Sequence, residues 1–124
     1  TNDTRESSAI DICRNLLDEG AELSIYDPKV SSNQIKNELE NFSLMINENS
    51  GGGSFIQSKS IFEATKDSDA IVVLTEWDEF SEINWNHISK IMRKPSWLFD
   101  TRNICNPIEV SREGINIWKL GIDN

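Results

Sequence analysis

The chain has 124 residues, of which 37% are hydrophobic and 27% charged, a composition typical of one soluble domain with its own core. The formal net charge of −9 argues against a nucleic acid or an anionic membrane as partner, because a surface that follows phosphates needs clustered Lys and Arg. No apolar run approaches the roughly 20 residues of a membrane span, and no secretory signal opens the chain. The two cysteines lack the spacing of a disulfide framework or of metal ligands. A cytoplasmic protein is therefore expected.

The first part of the chain predicts two amphipathic helices with a strand between them. Apolar residues repeat at helical spacing over Ala9–Leu17, and Gly20 ends that helix. Leu23–Tyr26 alternates as a short strand that ends in a turn at Asp27–Lys29. A second helix follows, with its apolar side over Ile35–Phe42. The polar start without Met indicates a fragment of a longer protein.

A glycine-rich stretch over Asn47–Gly53 admits two interpretations. One is a loop that cradles phosphate groups, and the other is a flexible connection at the surface. The stretch has no preceding strand and no Lys-Ser or Lys-Thr after it, so the connection is favoured. Ser54–Gln57 is a minor strand at best, and a capping box at Ser60 opens a short helix toward Lys66.

The central element is the strand predicted at Ala70–Thr75, a β-branched apolar run without polar alternation. Such a run predicts a parallel strand that is buried on both faces of an α/β sheet. Ligands of these sheets bind beyond the carboxyl ends of the strands, so any ligand of this protein should meet Thr75–Trp77.

Two further strands and two helices complete the pattern. Asn84 caps a helix that Pro95 breaks, and the buried strand Trp97–Phe99 follows. Asn106, with a proline directly after it, caps a helix that closes before a last strand at Ile115–Trp118. The regular alternation predicts one α/β domain over residues 1–124, a Rossmann-like three-layer sandwich with a mostly parallel sheet.

Polar segments follow three of the predicted parallel strands and should share one edge of the sheet. They are Asp27–Lys29, Thr75–Asp78 and Asp100–Arg102, and the segment before the first helix brings Arg5 to the same edge. Arginine is suited to bidentate contacts with phosphate, and helix N-termini add partial positive charge. This edge of the sheet is therefore predicted to bind a diphosphate. The alternative is that each arginine is a solvated or ion-paired surface residue.

Candidates for catalysis are few, and no catalytic residue or metal ligand is predicted. Cys13 lies on the apolar side of the first helix, Cys105 has no histidine at a recognisable spacing, and His87 falls on a solvated helix position. Trp77 could stack on a base or pack against a helix, and Glu76 could bind a ribose hydroxyl or pair with an arginine. The chain therefore carries a binding edge rather than a reaction centre.

Four segments in order resemble the C-terminal, UDP-binding domain of the UDP-glucose/GDP-mannose dehydrogenase family, and the resemblance covers nearly the whole chain. They are Asn2–Ile10, Ile25–Val30, Thr75–Phe80 and Phe99–Asn103. By this resemblance Arg102 contacts the nucleotide-sugar substrate, and Arg5 reaches the NAD that another domain of the chain binds.

The resemblance also implies an activity and partners. The family oxidises a sugar C6 alcohol to a carboxylate with NAD, and here UDP-glucose is the favoured substrate, giving UDP-glucuronate for polysaccharide biosynthesis. The N-terminal and central domains would supply the NAD site and the nucleophilic cysteine in a homo-oligomer, so the isolated fragment should be inactive. The alternatives are the same domain of a GDP-mannose or UDP-N-acetylmannosamine dehydrogenase, a stand-alone nucleotide-binding protein, or a non-enzymatic flavodoxin-like interaction module.

Two departures from the family pattern matter. Thr101 stands where the family has Gly, and a β-branched residue would be strained there if that position has a positive φ. The family's first strand and a Phe-Lys pair that helps to hold substrate are missing ahead of the Arg5 segment. That strand would lie between the strands at Leu23–Tyr26 and Ala70–Thr75, so we expect the chain to rearrange at this gap or to fill it from another copy.

Overall fold

The computed structural model describes residues 8–30, 32–45 and 52–119. Within them, the helices are α1 (Ser8–Asp18), α2 (Ser32–Met45), α3 (Ile61–Thr65), α4 (Trp85–Ile91) and α5 (Pro107–Arg112). The strands are β1 (Glu22–Ile25), β2 (Ser54–Gln57), β3 (Ala70–Val73), β4 (Trp97–Asp100) and β5 (Asn116–Lys119), and a 3₁₀ helix covers Asp78–Glu82. All strand pairs are parallel, which confirms the α/β class. No helix in these ranges is both long and apolar enough to cross a membrane.

The strands form two sheets in two compact units, Thr1–Ser60 and Ile61–Asn124. In the first unit, β1 pairs with β2 and α1 packs against α2 and β1. Its core is an aliphatic cluster of Ile10, Leu17, Ile35 and Leu39. Within the described ranges, no strand of one sheet pairs with a strand of the other.

The last glycine of the glycine-rich stretch has a packing role. The Gly53 amide donates to the Leu17 carbonyl at 3.2 Å, and the next amide, of Ser54, donates to the Ala21 carbonyl at 3.1 Å. A Cβ on Gly53 would lie 2.5 Å from the Leu17 oxygen, so only glycine lets β2 approach the end of α1 this closely. Residues 47–51 of this stretch lie outside the described ranges.

In the second unit the strand order is β3-β4-β5, and the helix caps predicted at Asn84 and Asn106 are confirmed. Asn84 Oδ1 accepts from the His87 amide at 3.1 Å and starts α4. Asn106 Oδ1 accepts from the Ile108 amide at 2.9 Å and starts α5. Gly114, with φ +82°, follows α5, and the chain turns back into β5. Both helices thus begin where the side-chain caps predict.

The prediction that the central strand is buried on both faces is wrong. The face that carries Val73 and Leu98 is buried, but Val72, Trp97 and Trp118 on the other face are 37–40% exposed. Phe99 stacks on Trp97 there, with ring centroids 5.7 Å apart. Since β3, β4 and β5 follow one another in one direction, right-handed crossovers put α4 and α5 on the same face of this sheet. Because the strand is apolar throughout, its sequence does not indicate which of its faces is exposed.

Candidate functional site

The loop after β4 is joined to the end of β3 by its first residue. The Thr101 amide and the Thr101 hydroxyl both donate to the Val73 carbonyl, at 3.2 Å and 2.6 Å. Among the described residues other than glycine, a positive φ occurs at Asp67 and at Asn103, and Thr101 is not one of them. The strain considered for a threonine at this position is therefore absent, and its hydroxyl instead anchors the loop.

Arg102 reaches across the carboxyl end of β3. Its Nε donates to the Leu74 carbonyl at 3.0 Å, and its Nη1 lies 3.6 Å from Glu76 Oε1. The Arg102 side chain stays 38% exposed. The structure thus brings together two of the segments predicted to share an edge, Thr75–Asp78 and Asp100–Arg102.

A buried carboxylate lies directly beneath this loop, and sequence reasoning gave it no role. Asp100 is fully buried; its Oδ1 accepts from the Arg102 amide at 3.1 Å and its Oδ2 from the Cys105 amide at 2.8 Å. Lys119 Nζ lies 3.7 Å from Asp100 Oδ2 and donates to the Cys105 carbonyl. The available signal was an acidic residue at the end of an apolar strand, but the lysine that meets it comes 19 positions later, at the end of the next strand.

Neither cysteine is an activated nucleophile. Burial, followed by the neighbouring Asp100 carboxylate, raises the pKa of the Cys105 thiol to about 12. Burial raises the pKa of the Cys13 thiol to about 11. Both thiols are therefore protonated at neutral pH, and both cysteines are free. Cys13 packs against the aliphatic cluster of the first unit, which fits the core role inferred for it, and Cys105 is buried in the second unit.

The remaining candidates lie in other settings. His87 is exposed and packs edge-on against Phe62, with ring centroids 4.4 Å apart. In the first unit, Asp27 Oδ1 accepts from the Lys29 and Val30 amides at 2.8 and 3.1 Å, which forms the turn predicted after β1. Arg5 lies outside the described residues. Within the described ranges, no group of three His, Cys, Asp or Glu side chains could hold a metal ion.

Comparison with known proteins gives one consistent family. The UDP binding domain of the UDP-glucose/GDP-mannose dehydrogenase family matches residues 1–107. UDP-glucose 6-dehydrogenase 4 of Arabidopsis thaliana is 37% identical over 98% of this chain, and UDP-glucose 6-dehydrogenase 1 of Glycine max is 36% identical over the same share. The chain spans 27% of the length of each relative. The chain therefore belongs to the UDP-glucose/GDP-mannose dehydrogenase family and corresponds to its UDP binding domain.

Proposed function

We propose that this chain binds the nucleotide-sugar substrate of a UDP-glucose 6-dehydrogenase, and that Arg102 contacts the anionic part of UDP-glucose. The observation that carries the proposal is the position of Arg102 at the carboxyl ends of β3 and β4, fixed by the Leu74 carbonyl and still 38% exposed. The carboxyl edge of a parallel sheet is where such domains bind ligands.

The chemistry of the side chain suits this ligand. A guanidinium carries five N–H donors in a planar fork that matches phosphate oxygens, and it stays charged at any physiological pH. Here one donor, Nε–H, is used to fix the plane of the fork against the Leu74 carbonyl. A guanidinium held in this way loses less conformational entropy when it binds a diphosphate than a freely rotating one.

The proposed reaction belongs to the longer protein and not to these 124 residues alone. UDP-glucose is oxidised at C6 to UDP-glucuronate; two hydrides pass to two NAD⁺, water supplies the second carboxylate oxygen, and the protons leave to solvent. A cysteine outside this chain would act as the nucleophile. Arg5 is proposed to contact NAD held by a neighbouring domain. We also propose that the longer protein is a homo-oligomer located in the cytoplasm.

Titration calorimetry of the 124-residue chain tests the substrate assignment. UDP-glucose, GDP-mannose and NAD⁺ are the three ligands, and Arg102→Ala is the test variant. Arg93→Ala is the matched control, because Arg93 is an exposed arginine of the same unit that pairs with Asp69 at 3.3 Å. We expect UDP-glucose to bind with a millimolar or lower Kd, and Arg102→Ala to weaken binding by about tenfold or more, the effect of losing a charge-assisted contact of about 1.5–3 kcal/mol.

Three results would count against this assignment. Absence of binding by a folded wild-type chain overturns binding by these residues. Equal affinities of the wild type and Arg102→Ala overturn the role of Arg102. A preference for GDP-mannose moves the chain to the other branch of its family.

A further inference from the structure

The loop that presents Arg102 is built around one buried carboxylate. Asp100 ends β4 with no exposed surface, and its two oxygens accept from the backbone amides of Arg102 and Cys105. The carboxylate therefore fixes both ends of the turn between these residues. A buried carboxylate needs a cation as well as hydrogen bonds, because burial without a counter-charge is very unfavourable.

That cation comes from the neighbouring strand. Asp100 and Lys119 are paired in the β4–β5 register, so their side chains leave the sheet side by side on the buried face. The Lys119 side chain is 10% exposed, and its Nζ lies 3.7 Å from Asp100 Oδ2. The same ammonium group donates to the Cys105 carbonyl. Lys119 thus neutralises the carboxylate and also binds the far end of the loop.

The loop is held from two sides. On the β3 side, the Thr101 hydroxyl donates to the Val73 carbonyl and Arg102 Nε donates to the Leu74 carbonyl. On the β5 side, Lys119 is the anchor. Loss of the β5 anchor would leave Asp100 without its cation and would free the loop to move Arg102 away from the end of β3.

We propose that Lys119 is a positioning residue for Arg102, acting through Asp100 and the backbone of residues 102–105. Lys119 does not contact the ligand in this proposal; it sets where the guanidinium is presented. The proposal rests on the proposed function, since it deepens the role assigned to Arg102 in binding UDP-glucose.

A purely structural role is the competing explanation, and it makes different predictions. A buried ion pair often contributes to stability without affecting a nearby site, and breaking it would then loosen the whole sheet. A positioning role instead concentrates the effect on the loop. It also makes the effect on ligand binding disappear once Arg102 is absent.

Three substitutions of Lys119 separate charge from packing. Lys119→Met keeps the length of the side chain and removes its charge and donor. Lys119→Gln keeps a donor for the Cys105 carbonyl without the charge, and it replaces Lys119→Met as the test variant if that protein does not fold. Lys119→Arg restores the charge. Lys94→Met is the matched control, because Lys94 Nζ also donates to a backbone carbonyl of the same unit, that of Ser89, at 2.6 Å.

Amide hydrogen exchange, followed by NMR without ligand, gives the first readout. In Lys119→Met we expect the amides of Arg102 and Cys105 to exchange about tenfold faster than in the wild type, while the amide of Leu98 in mid-strand changes less than about twofold. Lys119→Arg should return the loop rates to within about threefold, and Lys94→Met should leave them unchanged. Unchanged loop rates, or equal acceleration throughout the sheet, overturn the proposal.

Binding of UDP-glucose gives the second readout, as a double-mutant cycle. Lys119→Met is expected to weaken binding by about tenfold in the wild-type background and by less than about twofold in the Arg102→Ala background. Additive effects in the two backgrounds overturn a role through Arg102.

The two proposals fail in distinguishable ways. If Arg102→Ala leaves UDP-glucose binding unchanged, the proposed function fails, and the exchange rates still decide whether Lys119 orders the loop. If Arg102→Ala weakens binding and Lys119→Met does not, the proposed function stands and the positioning role fails.

Discussion

At the scale of single residues, the Arg102 guanidinium has two kinds of partner with different consequences. The Leu74 carbonyl is neutral and fixes the orientation of the side chain. The Glu76 carboxylate is anionic, 65% exposed, and lies 3.6 Å from Nη1. A carboxylate and a phosphate compete for the same fork of donors, so Glu76 occupies part of the surface that an anionic ligand would use.

We expect Glu76→Gln to bind UDP-glucose more tightly than the wild type, by less than about fivefold, because an exposed ion pair contributes under about 1 kcal/mol. Calorimetry of both proteins measures the change. Glu82→Gln is the control for the loss of one negative charge from a chain of net charge −9, since Glu82 is an exposed residue of the adjacent 3₁₀ helix. Weaker binding by Glu76→Gln would mean that Glu76 orients Arg102 rather than competing for it.

At the scale of secondary-structure elements, the junction between α1 and β2 depends on the absence of a side chain. A Cβ at position 53 would lie 2.5 Å from the Leu17 oxygen and 2.7 Å from the Ala21 oxygen. Both atoms belong to the backbone, so relief requires the helix end or the strand to move.

Gly53→Ala is expected to lower the free energy of unfolding by about 1–3 kcal/mol, as overpacked sites do. Urea denaturation followed by circular dichroism measures it. Ser54→Ala is the control, because Ser54 is exposed at the first position of β2. A loss of less than about 0.5 kcal/mol in Gly53→Ala would show that the junction adapts, and the glycine would then lack the packing role assigned to it.

The sequence predicts local features of these elements well and long-range ones poorly. Asn84 and Asn106 cap helices because the cap is formed by residues within three positions of each other. The pairing of β2 with β1 and the contact of Lys119 with Asp100 join residues far apart in the chain. The open face at Val72 was also missed, because it depends on which side α4 and α5 cross. The position of Arg102 at the carboxyl edge of the sheet was predictable, because Asp100–Arg102 directly follows a predicted parallel strand and ligands bind beyond the carboxyl ends of such strands.

At the scale of the whole molecule, the sequence provides more for binding the ligand than for carrying out the proposed oxidation. The sequence has no Gly-x-Gly-x-x-Gly dinucleotide fingerprint, and both thiols are held protonated by burial. The chain spans 27% of the length of its relatives, so the proposed oxidation depends on residues beyond these 124.

We therefore expect the 124-residue chain to form no NADH from UDP-glucose and NAD⁺, even at ligand concentrations that saturate binding. Absorbance of NADH over hours measures this, with a complete UDP-glucose 6-dehydrogenase as the positive control. NADH formation that is lost in Cys105→Ala would contradict the assignment of Cys105 to the core.

The use of backbone carbonyls as anchors has a consequence for sequence variation. Thr101 and Arg102 are held to β3 through the oxygens of Val73 and Leu74, and every residue type offers the same oxygen. Positions 73 and 74 can therefore change among strand-forming residues without releasing the loop. The contact between Asp100 and Lys119 is made by their charged side chains, so a substitution that removes either charge removes the anchor. Sequence variation should therefore be tolerated at positions 73 and 74 and be selected against at positions 100 and 119.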